Sequence, residues 1–293
     1  MSDAILLATD LDRTLLPNGA QPESASARPR FRRLAARPEI RLVYVTGRHR
    51  ELVEAAIADY ALPRPDMVIA DVGSSVYEIG ADDWRPSQGW QQVLAADWGD
   101  GGYAELAAAL ADMPDLRVQE AAKQAAFKLS YYAEALADPS DLLARVRARL
   151  VAVGARFKLI YSVDETTASG LLDVLPAAAG KLQALEYLRT QLDIPLSRTV
   201  FAGDSGNDME VLASRIPSVL VANAQDTVRA EAVALARGRE LYLAGGGLLG
   251  MNGNYSAGIL EGVVHFIPAT RAWLALPEDA ADGADISRLA EPG

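Results

Sequence analysis

Short apolar runs that stop abruptly at small polar residues punctuate this chain. Ala4 to Thr9 ends at Asp10, and Ile40 to Val45 ends at Thr46-Gly47. Asp66 to Ala70 is a third run, and Thr199 to Ala202 ends at Gly203-Asp204. Runs of this length with turn residues behind them read as buried strands. Between some of them the apolar spacing turns helical, as at Leu182, Leu185, Leu188 and Leu192. Strands alternating with helices predict an α/β fold, a Rossmann-like core on a parallel sheet. Ligands in such sheets bind beyond the carboxyl ends of the strands, where the polar clusters of this chain fall.

The middle of the chain has another rhythm. Trp84 and Trp90 precede a helical stretch from Tyr103 to Met113, and the alternating run Phe127-Lys128-Leu129-Ser130-Tyr131-Tyr132 follows. A helix bearing Leu143, Val146, Leu150 and Val153 leads to a strand-like run from Arg156 to Ser162. This pattern predicts a separate α+β module inserted into the sheet domain. The expected division is a discontinuous core of residues 1–83 and 171–270, an inserted domain at 84–170, and a flexible tail at 271–293.

Composition narrows the field. A chain of 293 residues has length enough for a substantial core. A formal charge of −11 argues against a general nucleic-acid binder, which needs a basic face. With no cysteine, a thiol nucleophile and a thiolate metal site are excluded. The acidic start MSDAILLATDLD is unlike a signal peptide, and no apolar run is long enough to span a bilayer. The expectation is a cytoplasmic monomer without membrane or nucleic-acid partners.

Four polar clusters carry the chemistry. In Asp10-Leu11-Asp12-Arg13-Thr14 two carboxylates leave one strand end, a donor type that suits a hard cation such as Mg²⁺. One carboxylate of such a pair can attack phosphorus and the other can move protons. Thr46-Gly47-Arg48 offers a hydroxyl and free N–H groups for a phosphate oxygen. Lys181 stands at a helix start, where a cation is disfavoured by about 0.3–1 kcal/mol unless it faces an anion. Gly203-Asp204-Ser205-Gly206-Asn207-Asp208 brings two more acids after another strand. Each cluster alone also fits a plain turn or helix cap; all four at strand ends in one crevice do not.

These four, in this order, resemble the haloacid dehalogenase superfamily of phosphotransferases. Thr46 follows Asp10 by 36 positions, leaving no room for a cap between them, whereas Lys181 follows Thr46 by 135. The insertion therefore resembles a C2-type cap. The chain is most similar to the sucrose-phosphate phosphatase group, through Leu42 to Arg48, Val72 to Tyr77, Phe127 to Tyr132, Asp173 to Pro176 and Ala257 to Gly262. The resemblance implies a Mg²⁺-dependent phosphoric monoester hydrolase acting on sucrose-6-phosphate in sucrose biosynthesis. Mannosylfructose-, glucosylglycerol- and mannosylglycerate-phosphate are alternative substrates, and a phosphomutase or a non-catalytic binding module is a more distant reading. It implies Asp10 as nucleophile, Asp12 as acid and base, and Thr46, Gly47 and Lys181 on the phosphate. Metal would be held by Asp10, Asp12 through its backbone carbonyl and Asp204, with Asp208 beside it either through water or as the anchor of the loop, and Asn207 and Arg48 in support. Lys128 and Ser130 would meet sugar hydroxyls from the cap, and a sugar-phosphate synthase is a candidate partner. His49 and His265 are expected to be structural or solvated, and the glycine-rich loop 245–254 a flexible one.

Overall fold

The computed structural model describes residues 3–81, 83–164, 167–236 and 240–275. In chain order its strands are β1 (Ile5–Thr9), β2 (Ile40–Val45), β3 (Met67–Ala70), β4 (Ser75–Ile79), β5 (Trp84–Pro86) and β6 (Arg117–Val118). They continue with β7 (Leu129–Glu134), β8 (Phe157–Asp164), β9 (Ser169–Pro176), β10 (Thr199–Gly203), β11 (Ser218–Leu220) and β12 (Leu241–Leu243). The chain divides into two compact units, one of residues 1–43, 57–65 and 189–293 and one of residues 44–56 and 66–188.

In the first unit β1, β10, β11 and β12 form a parallel sheet in the order β12-β11-β10-β1, with the start of β2 on the far side of β1. Every residue of β1 and β10 is buried. Such continuous apolar runs mark strands covered on both faces. The helix Ala27–Ala35 buries Ala27, Arg30, Phe31 and Leu34, one face at helical spacing. The helix Ser256–Phe266 buries Ser256 through Val263. The segment after it is folded for longer than expected. Pro268–Leu274 is a 3₁₀ helix, Leu274 is fully buried, and its carbonyl accepts from Arg30 Nη1 at 2.7 Å. The expected tail from 271 thus loses its first residues to the core, and 276–293 lie outside the described residues.

In the second unit β3, β4 and β5 form an antiparallel meander. A separate antiparallel sheet runs β6-β7-β9-β8. The helices Gly102–Leu110 and Ser140–Ala152 contribute Leu106, Leu110, Leu142, Val146 and Leu150 to a core shared with Leu129, Tyr131, Leu172 and Val174 of this sheet. The alternation read at 127–132 is real: Leu129 and Tyr131 are core, and Phe127 packs on it. Two boundaries shift. Trp84–Pro86 pairs with β4, and β9 runs unbroken through 170/171 because Ser169 to Pro176 all find partners on β8. Among the described residues, no helix is long and apolar enough to cross a membrane.

Candidate active site

The parallel register of β1 on β10 sets the first half of the site. Thr9 lies opposite Ala202, so Asp10 and Gly203-Asp204 leave the sheet side by side, and Asp10 N–H donates to the Ala202 carbonyl at 2.9 Å. Asp10, Asp204 and Asp208 are all buried and bring one carboxylate oxygen each within 4.8 Å of one another. Three clustered carboxylates repel one another, and a hard divalent cation with oxygen ligands fits that donor set. Asp204 is further held by the Thr14 hydroxyl, which donates to Oδ1 at 3.1 Å, and by Arg13 Nε, 3.3 Å from Oδ2.

Asp208 shapes the loop around this cluster. Its Oδ2 accepts from the N–H groups of Asp204 and Ser205, both at 3.2 Å, and from the Ser205 hydroxyl at 3.1 Å. Ser205 and Asp208 thereby form a reciprocal capping box over the turn Gly206–Asp208. Gly203 must be glycine here, since a Cβ would come within 2.7 Å of the Asp208 carboxylate. Asn207 is exposed and accepts from the Ser205 hydroxyl at 2.9 Å.

Asp12 is half-buried, and its Oδ1 accepts from Asn18 Nδ2 at 2.7 Å. The turn that displays it is tied at several points. Arg13 has φ +57, its N–H donates to Asn18 Oδ1 at 2.8 Å, and its carbonyl accepts from Asn223 Nδ2 at 2.6 Å. Asn223 in turn accepts from Tyr255 N–H at 2.8 Å. Asn18 and Asn223 escaped the sequence reading. Asn223 is 210 positions from Arg13 and lies in an ordinary turn after β11, so no local signal marks it.

The second unit carries the other half of the predicted residues. Thr46, at the end of β2, is buried; its N–H donates to the Ile69 carbonyl at 2.8 Å and its hydroxyl accepts from Arg48 N–H at 3.2 Å. Gly47 is exposed. Arg48 directs Nη1 to the Leu52 carbonyl at 3.2 Å. The turn Asp71–Gly73 packs against this segment. Asp71 N–H donates to the Arg48 carbonyl at 3.0 Å, and Val72 N–H to the Thr46 carbonyl at 3.1 Å. Gly73, at φ +92, lies so close to Gly180 that a Cβ would meet its backbone at 2.2 Å. Lys181 follows directly and is only 2% exposed. The buried face of its helix is Lys181, Ala184, Leu185 and Leu188, whereas Leu182 and Leu192 are half-buried. The stripe is therefore turned so that the lysine, rather than Leu182, belongs to the inner face.

Lys128 and Ser130 do not present free groups. Lys128 Nζ lies 3.6 Å from Asp71 Oδ1 and 3.7 Å from Asp173 Oδ2. Ser130 is 1% exposed, and its hydroxyl meets Asp173 Oδ1 at 2.6 Å and the Lys123 carbonyl at 3.1 Å. Asp71 is a residue that sequence reasoning missed. Burial pushes its carboxyl above the usual range, opposed by Lys128, Ser75 and His49. Trp90 is buried and donates from Nε1 to the Gly73 carbonyl at 3.1 Å.

The glycine-rich loop in the first unit is already filled by an anion from the chain itself. The Glu261 carboxylate accepts from Gly245 N–H at 3.1 Å, Gly246 N–H at 2.8 Å and Tyr242 Oη at 2.7 Å. His265 stacks on Tyr242 with centroids 4.2 Å apart. This histidine packs on an aromatic ring, and the loop is anchored instead of free.

Comparison with known proteins follows the same lines. A putative haloacid dehalogenase-like hydrolase of Nitrosococcus oceani is 50% identical over 277 residues, 94% of this chain and 75% of that protein. A glucosylglycerol-phosphate synthase of Pseudomonas anguilliseptica is 32% identical over 99% of this chain, which spans about a third of that longer protein. Among solved structures, the sucrose-phosphatase of Synechocystis sp. PCC6803 in complex with sucrose and phosphate superimposes with a TM-score of 0.66 at 25% identity. That alignment covers 91% of this chain and 98% of the other. The family model of sucrose-6F-phosphate phosphohydrolases matches residues 3–267, through both compact units. The chain belongs to that family, among the phosphatases of the haloacid dehalogenase superfamily.

Proposed function

We propose that this protein hydrolyses a sugar phosphate, sucrose-6-phosphate before others, through a phosphorylated Asp10. The observation that carries the reading is the buried group of Asp10, Asp204 and Asp208 at the ends of two adjacent parallel strands. Those three residues, with the Asp12 carbonyl, would hold Mg²⁺, which when bound offsets charge on the phosphoryl group and on the acids around it. The Asp10 carboxylate attacks phosphorus and the sugar oxygen leaves. Asp12 gives that oxygen its proton, then takes one from the water that cleaves the acyl phosphate. Asn18 and Asn223 keep the Asp12–Arg13 turn in place during both steps. Thr46, Gly47 and Lys181 hold the phosphate oxygens. The antiparallel sheet of the second unit and its helices act as the cap that selects the alcohol, and Lys128, held by two acids, takes part by fixing Asp71 and Asp173 in place.

Family membership supports sucrose-6-phosphate; the relative named as a glucosylglycerol-phosphate synthase favours glucosylglycerol-phosphate as the second reading. A sugar-phosphate synthase would supply either substrate. The test is kcat/KM for sucrose-6-phosphate, glucosylglycerol-phosphate, mannosylfructose-phosphate and glucose-6-phosphate with the full chain and Mg²⁺. The reading expects sucrose-6-phosphate to lead; a lead for glucosylglycerol-phosphate would move the assignment to the second reading, and a flat profile would remove both.

A further inference from the structure

Arg13 stands between Asp12 and Thr14, but its side chain takes no part in the proposed steps. Its backbone is the first peculiarity. At φ +57 it lies in the left-handed region, where glycine and asparagine are at ease and a long side chain is not. That conformation is imposed from outside. The Arg13 N–H donates to Asn18 Oδ1 at 2.8 Å, and its carbonyl accepts from Asn223 Nδ2 at 2.6 Å. Glycine would fit such a turn with less strain, so the reason for an arginine lies in what its side chain reaches.

The side chain reaches Asp204. Nε is buried and 3.3 Å from Asp204 Oδ2, yet it makes no hydrogen bond. Nη2 donates to the Asn223 carbonyl at 3.4 Å. The pair is thus a charge contact of loose fit, unlike the aligned, two-bond grip a guanidinium can take on a carboxylate. The other oxygen of Asp204, Oδ1, accepts from the Thr14 hydroxyl at 3.1 Å. One carboxylate oxygen is therefore tied by a directed bond and the other only by charge. The Arg13 side chain is 35% exposed and has a route toward solvent, whereas Asp204, at 4%, has none.

Charge gives the contact its meaning. Asp10, Asp204 and Asp208 bring carboxylate oxygens within 4.8 Å of one another, and their mutual repulsion is strong where water is scarce. A guanidinium at Asp204 relieves part of that repulsion while no divalent cation is bound. The same positive charge opposes a divalent cation that arrives at the same carboxylate.

We infer that Arg13 is a resident counter-cation of the acid cluster: it stabilises the metal-free protein and lowers the affinity for Mg²⁺ by competing for Asp204. The inference rests on the metal reading of Asp10, Asp204 and Asp208 and makes Arg13 a positioning residue that sets how much cation the protein needs. An arginine with a merely structural task would, when replaced, weaken folding and metal binding together. A competing one separates them, since its loss weakens the metal-free fold and tightens the metal.

The experiment is titration calorimetry with MgCl₂ alone, without substrate, on chelator-treated wild type, Arg13→Asn and Arg13→Lys, beside thermal melts in EDTA and in saturating Mg²⁺. Asparagine tolerates the left-handed turn, and lysine keeps the charge without the planar head. Arg13→Asn should bind Mg²⁺ about fivefold more tightly than wild type, the effect of one partly exposed charge pair. It should melt about 2–4 °C lower in EDTA and gain more from Mg²⁺ than wild type does. Arg13→Lys should fall between the two. Should Arg13→Asn fail to fold, Arg13→Gly, which the left-handed φ also favours, carries the same expectations. Mg²⁺ affinity that is equal or weaker in the folded variant, or an unchanged melt in EDTA, overturns the inference and leaves the metal reading intact. Absence of Mg²⁺ binding in wild type and variants alike overturns both.

Discussion

Three carboxylates held together in the interior need a reason, and here each has a different one. Asp10 is fixed by its strand, Asp204 by Thr14 and Arg13, and Asp208 by the loop N–H groups that it caps. Asp208→Ala would leave the N–H groups of Asp204 and Ser205 without their acceptor, a cost of about 1–3 kcal/mol per buried donor. Urea denaturation should show a loss of that order, together with weaker Mg²⁺ activation. Asp71 is a separate case. Burial raises its folded pKa above the unfolded value, so its stabilising contribution is present at low pH and is lost as pH rises through the folded pKa. The stability of Asp71→Asn, followed by denaturation between pH 4 and 8, should lack that decline; an identical pH profile would refute the assignment. At this scale the grouping of Asp10, Asp204 and Asp208 was legible because small residues and strand ends flag them. Asp71, Asn18 and Asn223 were not, because their partners are set by tertiary contact and their own neighbours look like ordinary turns.

Elements show where pattern reading succeeds and where it stops. The buried strands β1, β2 and β10 were legible, since a short apolar run closed by a polar turn has few other readings. The helix from Lys181 was legible as an element but misaligned in its buried face, because Lys181 counts as polar and yet packs inward. Ser130 alternates as a polar-face residue, yet β7 is flanked by β6 and β9 and its hydroxyl is taken by Asp173. Two elements carry predictions. Gly73→Ala would drive a methyl into the Gly180 backbone at a left-handed φ, so the variant should lose several kcal/mol or fail to fold, as read by thermal melting. Glu261→Ala would leave Gly245 and Gly246 N–H and the Tyr242 hydroxyl without their shared acceptor, at a cost of about 2–4 kcal/mol. Burial and Glu261 push the Tyr242 hydroxyl up to about 12, so it remains a donor throughout the physiological range. Glu261→Gln, which keeps an acceptor, should recover part of that stability.

For the whole molecule, the proposed function asks an acidic chain of 293 residues to take an anionic substrate, which requires charge concentrated locally against the net charge. The net charge of −11 acts at long range, whereas the clustered Asp10, Asp204 and Asp208 set the local field that the proposed Mg²⁺ would offset. The α/β class and the family were legible from the order and spacing of four motifs, which the match over residues 3–267 bears out. The identity of the alcohol was not legible, because the four motifs supply acids, a threonine and a lysine that suit any phosphate ester. The central claim is that Asp10 is the nucleophile of a metal-assisted phosphatase. Its most direct test is phosphate release from sucrose-6-phosphate by wild type and Asp10→Asn, each with Mg²⁺ and with a chelator. The account predicts metal-dependent turnover in wild type and a loss of at least about a thousandfold in Asp10→Asn. Turnover that persists in Asp10→Asn, or that ignores the removal of metal, would contradict it.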